Sequence, residues 1–413
     1  MSERVPEGWK KIDLEDGVSA LVSGQSPNRK ENAAKGTAFG ILKTTAINWG
    51  RFDEQQNQEV LDEYEPNKKH LVLENDILIT KAGPAHRVGV VAQAKNIRSN
   101  VLLSGKMTAI RVNDKFFPDF LSYALCQEEA QNHLQANTTG MASSQTNFTH
   151  DSLLRVPVLT PPLPEQKKIA SILTSVDEVI ETTQKKIDKL QDLKKATRNE
   201  LLTRGIGHTE FKDSELGRIP KSWEGKCVDD LIKFTGGAQP PRSSFVFEPK
   251  PGYVRLLQIR DYKSDRFATY IPEELSRRSC SEKDVLIGRY GPPIFQILRG
   301  KSGSYNVALI KAEPRCENLL KGYMFHFLTR SDLFHMIDSL SQRTSGQTGI
   351  DLEALKSFGF PLPTIEEQHK IIAMLDHMDD SIKSLSSKLS QTQSLKKSLM
   401  QDLLTGKVRV KVN

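Results

Sequence analysis

Residues 299–303, RGKSG, offer the lysine and hydroxyl of a phosphate-binding loop. Phe295 stands where GxxxxGK[ST] requires its first glycine, so a nest of backbone amides is not specified. Residues 234–238, FTGGA, are too short a glycine pattern to define a cofactor turn. Glu248, Pro249 and Lys250 could close a nuclease motif, but no well-placed aspartate precedes them on a convincing strand. Cys126, Cys227, Cys280 and Cys316 are far apart, with no CxxC pair and no Cys/His spacing suited to zinc. No catalytic constellation emerges, and no metal or cofactor site is expected in this chain.

What remains is hydrogen-bonding chemistry. Residues 75–84, NDILITKAGP, and 283–292, KDVLIGRYGP, each read as a short apolar strand, a basic residue and a Gly-Pro turn. A tract of small polar residues follows each, TTGMASSQTNF at 138–148 and QRTSGQTGI at 342–350. Arginine pairs with guanine and Asn or Gln with adenine, while Lys, Arg, Ser and Thr suit phosphates. The candidate DNA contacts are therefore Lys81, Arg87, Ser143, Ser144, Gln145, Thr146 and Asn147 in the first half of the chain. In the second half they are Arg289, Tyr290, Arg343, Thr344, Ser345, Gln347 and Thr348. The competing reading of each is a solvated loop.

These segments need a scaffold, and the sequence writes one twice. Setting Glu165 on Glu367 aligns residues 165–203 with 367–405 without a gap, 15 of 39 positions being identical. Such similarity marks an internal repeat. Apolar positions step by alternating threes and fours, as coiled-coil a and d positions do. In the first copy they are Leu173, Val176, Ile180, Thr183, Ile187, Leu190, Lys194, Thr197 and Leu201. In the second they are Leu375, Met378, Ile382, Leu385, Leu389, Thr392, Lys396, Leu399 and Leu403. Prolines (Pro161, Pro162, Pro164; Pro361, Pro363) precede each pattern and Gly205 and Gly406 follow it, so each copy is a helix of roughly 40 residues, about 60 Å long.

One helix cannot bury such a stripe alone. The other copy is the nearest partner, and a different protein or a second chain is the alternative. The short connection at residues 203–217 favours antiparallel pairing with an internal pseudo-two-fold axis, because a parallel pair would need the linker to run back some 40 Å or more. Lys194 and Lys396 interrupt both seams; their heads either snorkel to water or meet a phosphate backbone. The four segments are 1–160, a recognition domain; 161–208, a helical spacer; 209–360, a second recognition domain; and 361–413, a second spacer. The fold class is α+β. Amphipathic stretches at 118–134 and 321–337 read as helices within the two domains.

The chain has 413 residues and a net charge of +7, which weakly favours a polyanionic partner. No apolar run approaches the ~20 residues that span a bilayer, so a cytoplasmic protein without a membrane partner is expected.

The doubled arrangement resembles the specificity subunit of type I restriction–modification systems. The residues that carry this are Pro162, Glu165, Gln166, Ile169, Leu201, Leu202 and Thr203, and again Pro363, Glu367, Gln368, Ile371, Leu403, Leu404 and Thr405. Domain-start pairs (Pro6 with Trp9, Pro220 with Trp223) and the strands at Asp76 and Asp284 fit as well. The second copy has two extra residues, Thr364 and Ile365, before its Glu-Gln pair. The resemblance implies two target-recognition domains reading a bipartite DNA sequence, with helices that set the spacer and dock two methyltransferase subunits. Those partners would bind S-adenosylmethionine and methylate adenine, and a motor-nuclease (R) subunit would cleave. The [DNS]PP[YF] loop of an adenine methyltransferase is missing, since TPPL, QPPR and GPPI lack both its first residue and its aromatic. This chain is thus expected to be non-catalytic; a coiled-coil adaptor that binds no DNA is the alternative.

A base contact from the second tract predicts that Arg343→Ala weakens binding to the cognate duplex by about 1–3 kcal/mol. Unchanged affinity and methylation would remove Arg343 from the candidates.

Overall fold

Each long helix begins where prolines release the chain from a strand. In the computed structural model the first spans Leu163–Thr203 and the second Ile365–Leu404. Pro164 is tolerated because first-turn amides have no intrahelical acceptor. The residues described are 5–61, 63–142, 144–215, 217–341 and 349–412, without the side chains of 141 and 142. The chain divides into two compact units, Met1–Gln184 with Ser387–Asn413, and Lys185–Ser386. The division falls inside both helices, so each unit holds one recognition domain and half of each helix.

In the first unit, Lys10–Asp13 pairs antiparallel with Pro157–Thr160, closing the domain just before its helix. A four-stranded antiparallel sheet follows the order Val18–Ser23, Met107–Val112, Ile77–Thr80, Val91–Gln93. The second unit repeats this plan. Glu224–Cys227 pairs with Gly359–Leu362, and the sheet runs Ile232–Gly236, Leu309–Pro314, Val285–Gly288, Gln296–Leu298. The central strands Ile77–Thr80 and Val285–Gly288 are buried throughout, as unbroken apolar runs should be. Asp76 holds the turn before the first by accepting from the Leu73 amide and pairing with Arg111; Asp284 does the same with Ser281 and Lys321.

The repeated Glu-Gln pair is the joint between domain and helix. Gln166 accepts from the Phe117 amide (2.8 Å) and donates to the Lys115 and Pro161 carbonyls (2.9 and 3.0 Å). Gln368 does likewise with Leu320, Asn318 and Pro363. Both glutamines bond a proline carbonyl five residues earlier, so Thr364 and Ile365 occupy the places of Pro162 and Leu163 and are not an insertion, contrary to the expectation from sequence. Glu165 accepts from the Trp9 indole at 3.0 Å and, bidentately, from Arg409 Nε and Nη2 at 2.8 and 2.9 Å. Glu367 accepts from the Trp223 indole at 2.8 Å, the Ile206 amide at 2.8 Å and His208 at 2.9 Å. A Pro-x-x-Trp turn aims each indole, with the tryptophan amide bonded to the Pro6 or Pro220 carbonyl at 3.0 Å. The glycines after the helices have positive φ, and a Cβ on either would strike the same joint: Gly205 against Glu367 and Trp223, Gly406 against Pro6.

The helices pair antiparallel in each unit. Ile169 and Leu173, near the start of the first helix, share a core with Leu403 and Leu404 at the end of the second. In the other unit Leu201 and Leu202 share a core with Ile371 and Leu375. Every seam position is buried or half-buried, whereas the repeated off-seam leucines Leu193 and Leu395 are more than half exposed. Lys194 and Lys396 neither snorkel nor stand ready for phosphate: Lys396 Nζ meets Asp177 at 2.7 Å, and Lys194 pairs with Asp379. One rung is thus written twice.

Two expectations needed revision. The stretch at 118–134 is two helices, Pro118–Ala124 and Glu128–Ala136, and that at 321–337 is likewise Lys321–Leu328 and Ser331–Ser341. Tight turns at Cys126 and Arg330 separate them. The connection after the first helix also carries a hairpin, Phe211–Ser214 with Gly217–Pro220. Among the described residues, no helix is long and apolar enough to cross a membrane.

Burial alone would raise the pKa of Glu165, but its bonds to Arg409 and Trp9 outweigh this and hold it below the usual carboxylate value. A folded pKa below the unfolded one contributes stability above pH ~4.3 that is lost as pH falls through the folded value. Glu165→Gln should therefore flatten the acid limb of stability measured by urea unfolding. Glu165→Ala should cost about 2–4 kcal/mol at pH 7 by leaving the indole and guanidinium unpaired.

Candidate nucleic-acid interface

In the first unit the basic residue and the polar tract, far apart in sequence, lie side by side; in the second, the described end of the tract, Gly349 and Ile350, lies beside the basic residue. Lys81 directly follows the strand Ile77–Thr80. The next residues, Ala82–Gly83, pair antiparallel with Gln145–Asn147, Thr146 opposite Gly83 and Asn147 opposite Ala82. The Phe148 amide donates to the Lys81 carbonyl at 3.2 Å. Ser144, Gln145 and Asn147 are exposed. Among the described residues, the side chains of Ser144 and Gln145 have no hydrogen-bond partner, whereas Asn147 accepts from Thr139 at 2.7 Å and Thr146 donates to the Gly83 carbonyl. Ser143 lies outside the described residues.

Lys81 is half-buried and donates to Ser23 Oγ at 3.2 Å, which in turn contacts His150 Nε2 at 3.0 Å. Burial lowers the His150 pKa and the Lys81 charge lowers it further, so the imidazole stays neutral and the lysine is the cation of this edge. Arg87 has a different job. Its guanidinium donates to the Thr44 and Ile47 carbonyls at 2.5 and 2.6 Å, tying a neighbouring loop to the sheet.

The second unit repeats the arrangement. Arg289 and Tyr290 follow Val285–Gly288, and both are exposed. Tyr290 bridges antiparallel to Gly349, and the Ile350 amide donates to the Arg289 carbonyl at 3.3 Å. The Arg289 guanidinium lies 5.4 Å from the Tyr290 ring centroid, a cation–π pair that presents both side chains together. Arg343, Thr344, Ser345, Gln347 and Thr348 lie outside the described residues.

The phosphate-loop-like RGKSG is structural: Arg299 pairs with Asp376 and Lys301 with Asp265. His326, Asp376 and Asp379 come within 4.8 Å of one another, the spacing of a metal site. Arg299 and Lys194 already neutralise the two carboxylates, and burial pushes the His326 pKa down to about 4. The cluster reads as a charge network joining domain to helix. Sequence reasoning missed Arg409 and His208; the signal was an Arg or His three residues beyond each helix-ending glycine.

The model of the type I restriction modification DNA specificity domain matches residues 6–192 and again 220–392. The chain belongs to that family. Its function is DNA-recognition specificity in a type I restriction–modification system. This specificity protein is 26% identical over 435 residues to the MjaVIII specificity subunit of Methanocaldococcus jannaschii, covering 99% of this chain and 95% of that one. It is 20% identical over 435 residues to the EcoKI specificity subunit of Escherichia coli strain K12, covering 98% and 90%. The crystal structure of an S subunit from M. genitalium superposes with a TM-score of 0.62 over 97% of each chain, at 16% identity, showing a shared fold.

The contrast within the first unit is testable. Lys81→Ala should weaken duplex binding with little change in unfolding midpoint, whereas Arg87→Ala should lower stability by about 1–3 kcal/mol by unpairing two partly buried carbonyls. Urea unfolding alongside fluorescence anisotropy with labelled duplex separates them, and equal effects on both readouts would contradict the assignment.

Proposed function

We propose that the specificity protein reads a bipartite duplex sequence, one half with each recognition domain, and that partner subunits carry out methylation and cleavage. The observation that supports this most is the recurrence of one polar edge on two copies of one scaffold with different side chains. Lys81 and Gln145 line the first, Arg289 and Tyr290 the second. Equal scaffolds with unequal readers suit a target whose halves differ. Guanidinium and carboxamide groups supply the bidentate contacts that distinguish bases.

Two methyltransferase subunits would bring S-adenosylmethionine and transfer its methyl group to adenine, and R subunits would join for restriction. Leu193 and Leu395, 55% and 53% exposed at equivalent places outside the seams, suit docking of those subunits against the helices.

The test assembles the chain with its methyltransferase partner and titrates labelled duplexes at rising salt. A split sequence should bind at least about 10³-fold more tightly than an unrelated duplex, and log affinity should fall linearly with log salt. Equal affinity for every duplex, or none, would overturn the reading and favour an adaptor.

A further inference from the structure

The second unit holds a cleft of about 720 Å³ that the sequence did not announce. It is lined by Arg242, Arg260 and Arg266, by Phe247 and Phe267, and by Gln258, and among the described residues no carboxylate lines it. Phe247 is 71% exposed and Phe267 55%, an exposure that no core of this unit explains. The guanidinium groups of Arg260 and Arg266 lie 5.8 and 5.3 Å from the Phe267 ring centroid, so cations and ring form one surface.

Among the described residues, none of the three arginines has a carboxylate within ion-pair distance. Asp265 is held by Arg255 and Lys301, and buried Asp261 accepts from the Gln258 amide at 2.7 Å and feels the Arg260 charge only at longer range, so Arg242 and Arg266 are uncompensated and Arg260 is partly so. The cleft also adjoins the polar edge. Asn306, which lines it, accepts from the Ala308 amide, and the Ala308 carbonyl accepts from the Arg289 backbone amide at 2.8 Å.

We infer that this cleft is a base-reading surface of the second recognition domain, an inference that rests on the reading proposed above. The occupant is the edge of duplex DNA. Planar guanidinium forks donate to guanine O6 and N7, exposed rings lie against thymine methyl groups, and the uncompensated charge meets the phosphates. An acidic protein would use the charge but not the planar, ring-lined geometry.

The experiment uses the assembled complex. The adenines it methylates first define the wild-type motif, and duplexes altered at each position of either half then compete for binding. Arg260→Ala and Arg266→Ala should each lower affinity for the native duplex about 5- to 150-fold, with discrimination lost at positions in one half only. Arg260→Lys and Arg266→Lys keep charge and stem but lose the fork, so they should show the same local loss of discrimination with an unchanged salt slope. These decide the matter if an alanine variant fails to assemble. Retained motif and affinity in all variants would overturn the inference, as would an even loss across all duplexes, the mark of phosphate contact alone. A wild-type complex without a split motif would overturn the parent reading too, an outcome distinct from inert variants in a working complex.

Discussion

A carboxylate withdrawn from water beside a buried carboxamide, at the first turn of each long helix, is the constraint on which the rest depends. Glu165 and Gln166 are 3% and 1% exposed, and a side chain with that charge is costly to bury unless every lone pair finds a donor. Each donor comes from a different stretch: an indole from the domain's start, an amide from the turn before its helical pair, a cation or amide from beyond the far end of the other helix. Satisfying the group therefore fixes how a recognition domain meets the helix that follows it. The readers differ between units while the glutamine bonds and the indole of the joint are repeated and only the third partner of the carboxylate changes, so base preference can vary without disturbing the attachment.

The helices contribute register more than bulk stability. Leu173, Leu201, Leu375 and Leu403 enter the domain cores; between them Ile180, Thr183 and Ile187 of the first helix are buried, while the seam positions of the second helix from Met378 to Leu399 are only half-buried. Two helices alone cannot surround a seam. The paired Lys-Asp rungs give that seam a fixed alignment, because a shift by one heptad would leave half-buried charges unmatched.

Much of this was legible in the sequence, for a local reason. Heptad spacing, proline starts and glycine stops are decided within a few turns, so both helices fall within a few residues of their expected ends, and the strands at Asp76 and Asp284 appear where expected. The pairing of Lys81 with the tract at 145–147 was readable only as two copies of a pattern, not as a contact. What stayed hidden depends on distant partners. Arg87 looks like any basic loop residue until Thr44 and Ile47 turn their carbonyls toward it. Lys194 looked like a snorkelling charge because its aspartate is 185 positions away. The arginines around Phe267 are scattered over three turns whose convergence no periodicity records.

The central claim is that two interchangeable readers are held by equivalent joints. Sequencing the adenines methylated by a complex whose residues 209–360 come from a relative of different motif tests it most directly. The account predicts a hybrid motif, one half new and the other unchanged, with methylation retained. A motif altered in both halves, or no methylation from an assembled complex, would contradict it.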